Sequence, residues 1–100
     1  MKTTVTPLDD HQIGPATAIL KAIANENRLR ILCLLIRGER SVTQINEEMT
    51  LSQSALSQHL AVLRQERLVT TRRSSQVIYY SLHGDVAERL IQTLGELDIS

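Results

Sequence analysis

Gln53, Ser54, Ser57 and Gln58 lie close together in the chain and carry amides and hydroxyls that both donate and accept hydrogen bonds. That is the chemistry needed to read base edges in the major groove of DNA, where a Gln amide pairs bidentately with adenine and a Ser hydroxyl serves at several bases. Wound into a helix with Leu56, Leu60 and Leu63 inward, residues 54, 57, 58, 61 and 65 fall on the outer side. Gln53 and Arg64 then sit on one shoulder and His59 on the other. Short side chains at Ser54, Ser57 and Ala61 would let the helix axis approach a groove floor. A plain solvated helix is the competing account, although such a surface more often carries abundant Lys and Glu.

Further along, Arg72, Arg73 and Gln76 flank a polar tip, placed to meet phosphates or a minor groove. Ser41, Thr43 and Arg64 are expected to hold the DNA backbone with them. The two neighbouring arginines have a second account, protection of an exposed strand edge from pairing with other chains. His59 either touches a phosphate or packs half-buried beside the turn.

Other chemistry finds less support. The single cysteine, Cys33, excludes an internal disulfide framework and a multi-cysteine zinc site. It stands in the apolar run Ile31-Leu32-Cys33-Leu34-Leu35, where packing is the expected role, and a redox role would require exposure and a lowered pKa. His11 and His83 are isolated. No Ser/His/Asp arrangement and no glycine-rich phosphate loop can be assembled, so no enzyme and no cofactor are expected.

Those side chains need elements to position them. Ile13, Ala16, Ile19, Leu20 and Ile23 recur at helical spacing, after a polar stretch over 1–10 that reads as a flexible tail. Asn25 caps a segment over 26–37 that is apolar nearly all round and belongs in the centre of the fold, ended by Gly38. Ser41 and Gln44 have the spacing of a capping box ahead of a short helix with Val42, Ile45 and Met49. Ser52 caps the next helix, over 53–66. From Val69 the period alternates, giving strands over 69–73 and 76–82 around Ser74-Ser75. Asp85 is expected to cap a last helix with Val86, Leu90, Ile91, Leu94 and Leu97 on one stripe. The order α-α-α-α-β-β-α is mainly helical with one small β-hairpin, a winged helix-turn-helix forming a single domain over 11–100.

Bulk properties agree. The 100 residues fit one domain, and with 42% hydrophobic residues but only two Tyr as aromatics, Leu, Ile, Val and Ala must build its core. A chain of this size buries only about two-thirds of its unfolded surface, so pairing with a second copy is a natural expectation. Net charge is zero, yet residues 51–83 carry +3 and residues 84–100 carry −3, which sets a basic region against an acidic one. No apolar run approaches the roughly 20 residues of a membrane span, and the Met1–Pro7 start lacks a signal-peptide core, so a cytoplasmic location is expected.

The stretch Leu20-Lys21-Ala22-Ile23-Ala24-Asn25-Glu26-Asn27-Arg28-Leu29-Arg30-Ile31-Leu32 resembles the signature that opens ArsR/SmtB-type winged-helix regulators. Leu51 through Leu60, then Leu63-Arg64, and Leu68-Val69 through Ile78-Tyr79-Tyr80, resemble that family's recognition helix and wing. The resemblance spans about residues 16–94. It implies a homodimer formed by the first and last helices, here through Ile13, Ala16, Ile19, Leu20, Leu90, Ile91, Leu94 and Leu97. It also implies repression by binding double-stranded DNA at an imperfect inverted repeat.

Many members sense metals, but this sequence departs at both usual sites. The Cys-x-Cys pair of the arsenic and cadmium sensors falls at Ser41 and Thr43, and the chelate of the zinc sensors at Gly84, Val86, Leu97 and Ser100. The BigR-like and HlyU-like subgroups pair a cysteine in the context of Cys33 with a second one, where Ile99 stands here. NolR-like members share the recognition-helix wording without the sensor cysteines. Three alternatives therefore accompany the leading expectation: a thiol-responsive regulator using Cys33, a winged-helix module that binds protein, and a thiol enzyme. The residues name no effector, operator or regulated gene.

Overall fold

Each of the first four helices starts where a neighbouring residue takes up free backbone groups at its end. The computed structural model describes residues 4–99. Helix α1 (Asp10–Ile23) follows Asp9, whose N–H donates to Gln12 Oε1 at 2.9 Å. In α2 (Glu26–Ile36), Asn25 Oδ1 accepts the Arg28 N–H at 3.1 Å. In α3 (Val42–Glu48), Ser41 Oγ accepts the Gln44 N–H while Gln44 Oε1 accepts the Ser41 N–H, the reciprocal capping box. In α4 (Gln53–Gln65), Ser52 Oγ accepts the Ala55 N–H at 3.2 Å. Asp85, expected to cap α5 (Val86–Glu96), makes no side-chain cap bond. Its carboxylate instead lies 3.8 Å from Arg89.

Three strands stand beside the helices among the described residues: β1 (Arg40–Ser41), β2 (Val69–Ser74) and β3 (Val77–Leu82), in the antiparallel order β1-β3-β2. The hairpin turns through Ser75-Gln76, with Ser75 at φ 56°. Strand β1 is the element the sequence does not announce, because two residues are too few to show alternation. It pairs Arg40 with Tyr80 and Ser41 with Tyr79, tying the root of the helix-turn-helix to the wing. Residues 4–9 have no regular structure and Asp10 already belongs to α1, one residue earlier than expected.

Leu56, Leu60 and Leu63 of α4 are buried with Ile31, Leu32 and Leu35 of α2, Ile45 and Met49 of α3, and Leu68 and Val69 at the base of the wing. The end of α4 steers the chain into that wing. Leu68 N–H donates to Leu63 O and Arg67 N–H to Arg64 O, both at 3.0 Å, with Arg67 in the left-handed region at φ 58°. These two bonds form the Schellman closure, here with an Arg where Gly is usual.

Two expectations fail in one place. Helix α2 is not enclosed on every side, and Cys33, expected to pack inertly, is exposed. The reason is a stripe: Glu26, Arg30, Cys33 and Arg37 recur at helical spacing, and Arg30 holds Glu26 at 2.9 Å on that charged side. Cys33 shares it with residues that require water.

Helices α1 and α5 both pack on α2 and both keep apolar side chains outside. Ile13 and Leu20 are 49% and 58% exposed, Leu94 and Leu97 36% and 53%, while Ala16, Ile19, Leu90 and Ile91 are half-buried. The Cα radius of gyration is 15.2 Å, against about 13 Å for a compact domain of this length. None of the helices among the described residues is long and apolar enough to cross a membrane.

Candidate nucleic-acid interface

Anchoring by three leucines turns the opposite side of α4 outward. Gln53, Ser54, Ser57, Gln58, Ala61, Arg64 and Gln65 are all exposed, as the helical spacing requires. Two clefts meet along this side and share Val42 and Ser57. One, of about 530 Å³, lies between α3 and α4 and is lined by Thr43, Asn46, Gln53 and Ser54. The other, of about 510 Å³, lies between α4 and the wing and is lined by Ala61, Arg64, Gln65, Ile78 and Tyr80. Helix α3, α4 and the wing therefore present one continuous surface of amides, hydroxyls and a guanidinium. Thr43 belongs to it.

Ser41 does not. It is 7% exposed, and its hydroxyl is engaged at the start of α3, so the residue expected to hold DNA caps a helix instead. His59 takes the packed alternative. It is half-buried, with Nδ1 3.3 Å from Arg28 NH1. Arg28 also donates to Ala22 O at 2.6 Å and to Lys21 O at 3.2 Å, linking the end of α1 to α4. Sequence reasoning missed Arg28, because nothing in its local spacing points 31 residues ahead.

The arginine pair divides. Arg73 lies opposite Ile78 and Arg72 opposite Tyr79 in the β2–β3 register, so they fall on opposite faces of the hairpin. The Ile78 face borders the α4 cleft, which places Arg73 on the same side as Arg64. Arg72 turns the other way. Its Nε and NH2 donate to the two Glu39 carboxylate oxygens at 2.8 and 2.7 Å, and its guanidinium lies 4.4 Å from the Tyr79 ring centroid. Those hydrogen bonds hold the Glu39 carboxyl below its ordinary range and raise Arg72 above its own. For Glu39 the sign means that the ion pair is intact at neutral pH and lost only as acid titrates the carboxylate below its usual range. Gln76 sits exposed at the hairpin tip.

At the metal positions the structure adds little to the residue types. Ser41 and Thr43 stand at the start of α3, Gly84 and Val86 before and within α5, and Leu97 ends that helix. Ser100 lies outside the described residues. Among the described residues, no group of three or more His, Cys, Asp or Glu is placed to hold an ion.

Comparison with known proteins bears on the same segment. The family model described as "Bacterial regulatory protein, arsR family" matches residues 25–71, which run from the cap of α2 into β2. The transcriptional activator HlyU of Vibrio cholerae is 48% identical over 82 residues, covering 82% of this chain and 76% of that protein. The biofilm growth-associated repressor of Agrobacterium fabrum is 42% identical over 88 residues, covering 88% and 75%. The solved structure of HlyU from Vibrio cholerae superposes with a TM-score of 0.84 at 42% identity, covering 92% of this chain and 100% of that one. The homodimeric winged helix-turn-helix DNA-binding domain of Mb0332 from Mycobacterium bovis superposes at 0.77 with 32% identity, covering 92% and 91%.

Proposed function

This chain belongs to the ArsR family of bacterial regulatory proteins and is a winged-helix DNA-binding transcriptional regulator, and on that premise we propose that it acts as a homodimeric repressor at an imperfect inverted repeat. The observation that carries the reading is the exposed Gln and Ser side of α4, bordered by the two clefts that add Thr43 on one flank and Arg64 on the other. Gln53, Ser54, Ser57 and Gln58 read bases. Thr43, Arg64, Arg73 and Gln76 hold the phosphate backbone on either side. Pairing rests on the apolar residues that α1 and α5 leave exposed, and it places two α4 helices in successive major grooves about 34 Å apart. The dimeric neighbour from Mycobacterium bovis supports this assembly, and the Agrobacterium relative supports repression.

The protein works in the cytoplasm, where its DNA is. It takes no metal at the family's two usual positions, because Ser41, Thr43, Val86 and Leu97 offer neither thiolate nor imidazole there. The activator name of HlyU favours a second reading, in which the same DNA contacts displace another repressor. A reporter placed downstream of the bound site separates the two by the sign of its response to deletion of the protein.

Selection of bound duplexes from random DNA tests the whole reading, and an inverted repeat with half-sites one helical turn apart is the expected product. On that duplex, Gln58→Ala should cost about 1–3 kcal/mol, confined to one base pair of each half-site. Replacing Arg64 and Arg73 together by Ala should weaken binding to every sequence alike. It should also lower the slope of log affinity against log salt by about 2, roughly one per phosphate contact. Selection that returns no common sequence would overturn the proposal.

A further inference from the structure

Glu39 and Arg72 form a strap across the whole sheet. Arg72 sits on β2, at one edge. Its guanidinium passes over the ring of Tyr79 on the central strand β3 and ends on Glu39, two residues before Ser41 on β1 at the other edge. One side chain thus links β2 and β3 to the residue just before β1, with two hydrogen bonds of 2.8 and 2.7 Å at its far end. The planar guanidinium suits this use, since it stacks on the ring while its fork meets both carboxylate oxygens.

The anchor is itself fixed. Gly38 at φ 130° turns the chain out of α2, and Arg40 NH1 donates to Gly38 O at 3.1 Å and Glu39 O at 3.0 Å. By contrast, the outer part of the wing has little to lean on. Val77 and Ile78 are 41% and 38% exposed, and β1 pairs with only two residues of β3. Core packing holds the hairpin at its base, through Leu68 and Val69. Between that base and the tip, Arg72 adds a side-chain tie to the body of the domain, beside the β1 pairing and the packing of Tyr80 on the core.

We propose that Glu39 is a positioning residue for DNA binding, which acts through Arg72 to set the angle of the wing so that Arg73 and Gln76 reach the duplex. Arg72 is then a brace and makes no phosphate contact. The inference rests on the DNA-binding surface proposed above, and it assigns the two neighbouring arginines opposite tasks.

The test is fluorescence anisotropy of the full chain on its selected duplex, across a series of KCl concentrations. Glu39→Gln and Arg72→Gln should each weaken binding about two- to fivefold, the size expected for a solvent-exposed ion pair, and the two should share one salt slope. The double variant should be no weaker than either single one. The exchanged pair Glu39→Arg with Arg72→Glu should recover part of the loss, which a general loss of folding would not do. Tighter binding by Glu39→Gln would overturn the proposal, because it would mean that Glu39 competes with phosphate for Arg72. Unchanged binding by both single variants would overturn it too, as would a slope about 1 lower in Arg72→Gln than in Glu39→Gln, the mark of a phosphate contact made by Arg72 itself. Arg73→Ala in the same series is the control: if it and Arg64→Ala leave both affinity and slope untouched, the DNA-binding surface itself is wrong, whatever Glu39 does.

Discussion

Leu97→Asp is expected to convert the proposed dimer into monomers and to abolish tight binding to the proposed inverted repeat without unfolding the protomer. Leu97 ends α5 and is 53% exposed in the single chain, so a carboxylate there meets water and costs the protomer little. In a two-fold interface the same residue occurs on both sides, and each copy that should have been buried is replaced by a charge that resists burial. With about half of each leucine left to bury, losing about 0.8–1.6 kcal/mol per leucine, counted twice, weakens association by roughly 1.6–3 kcal/mol, or about one to two orders of magnitude, and the cost of burying each carboxylate comes on top. Affinity for a duplex with two half-sites falls with it, because each monomer must then bind alone. Sedimentation and anisotropy on one preparation measure both effects, and circular dichroism checks the fold. A variant that stayed dimeric and bound the operator normally would remove α5 from the interface.

The elements that carry this reading differ in how plainly the chain declares them. Leu56, Leu60 and Leu63 repeat at i, i+4 and i+7, and a period of that kind fixes both the helix and its outward side, so the exposure of Gln53, Ser54, Ser57 and Gln58 follows from sequence. Caps are local too, which is why Asn25, Ser41 and Ser52 behave as their types and spacings suggest. The failures come from facts that are not local. Arg72 and Arg73 look equivalent as neighbours, but strand alternation separates them, and the partner of Arg72 lies 33 residues away. Ser41 is polar and precedes the recognition region, yet its part in both the cap and β1 buries it. Cys33 departs from expectation for a different reason: the apolar residues around it outnumber the charged stripe of Glu26, Arg30 and Arg37 that it shares, although that stripe is legible in the sequence. His59 and Arg28 find each other only once α2 and α4 are packed.

Leu63→Ala should act on the same DNA-reading helix from behind. Leu63 is fully buried beneath α4, and removing most of its side chain leaves a cavity among well-packed neighbours. Such a change costs about 2–5 kcal/mol, the sum of lost transfer energy and the space left unfilled. A domain near this size loses roughly 4–8 °C in Tm per kcal/mol, so a fall of about 10 °C or more is expected. The Schellman closure that uses the Leu63 carbonyl is a backbone feature and stays, so the wing keeps its entry point. Below the lowered Tm, the folded fraction should still prefer the same base pairs, since no atom of the outward side has changed. Gln58→Ala should show the reverse, an altered base preference at an unchanged Tm. Scanning calorimetry at fixed protein concentration, which the proposed dimerisation makes necessary, together with binding to a panel of single-base operator variants, separates the two. If Leu63→Ala melted with the wild type, or shifted base preference as Gln58→Ala should, α4 would not be held by its leucines with its polar side free.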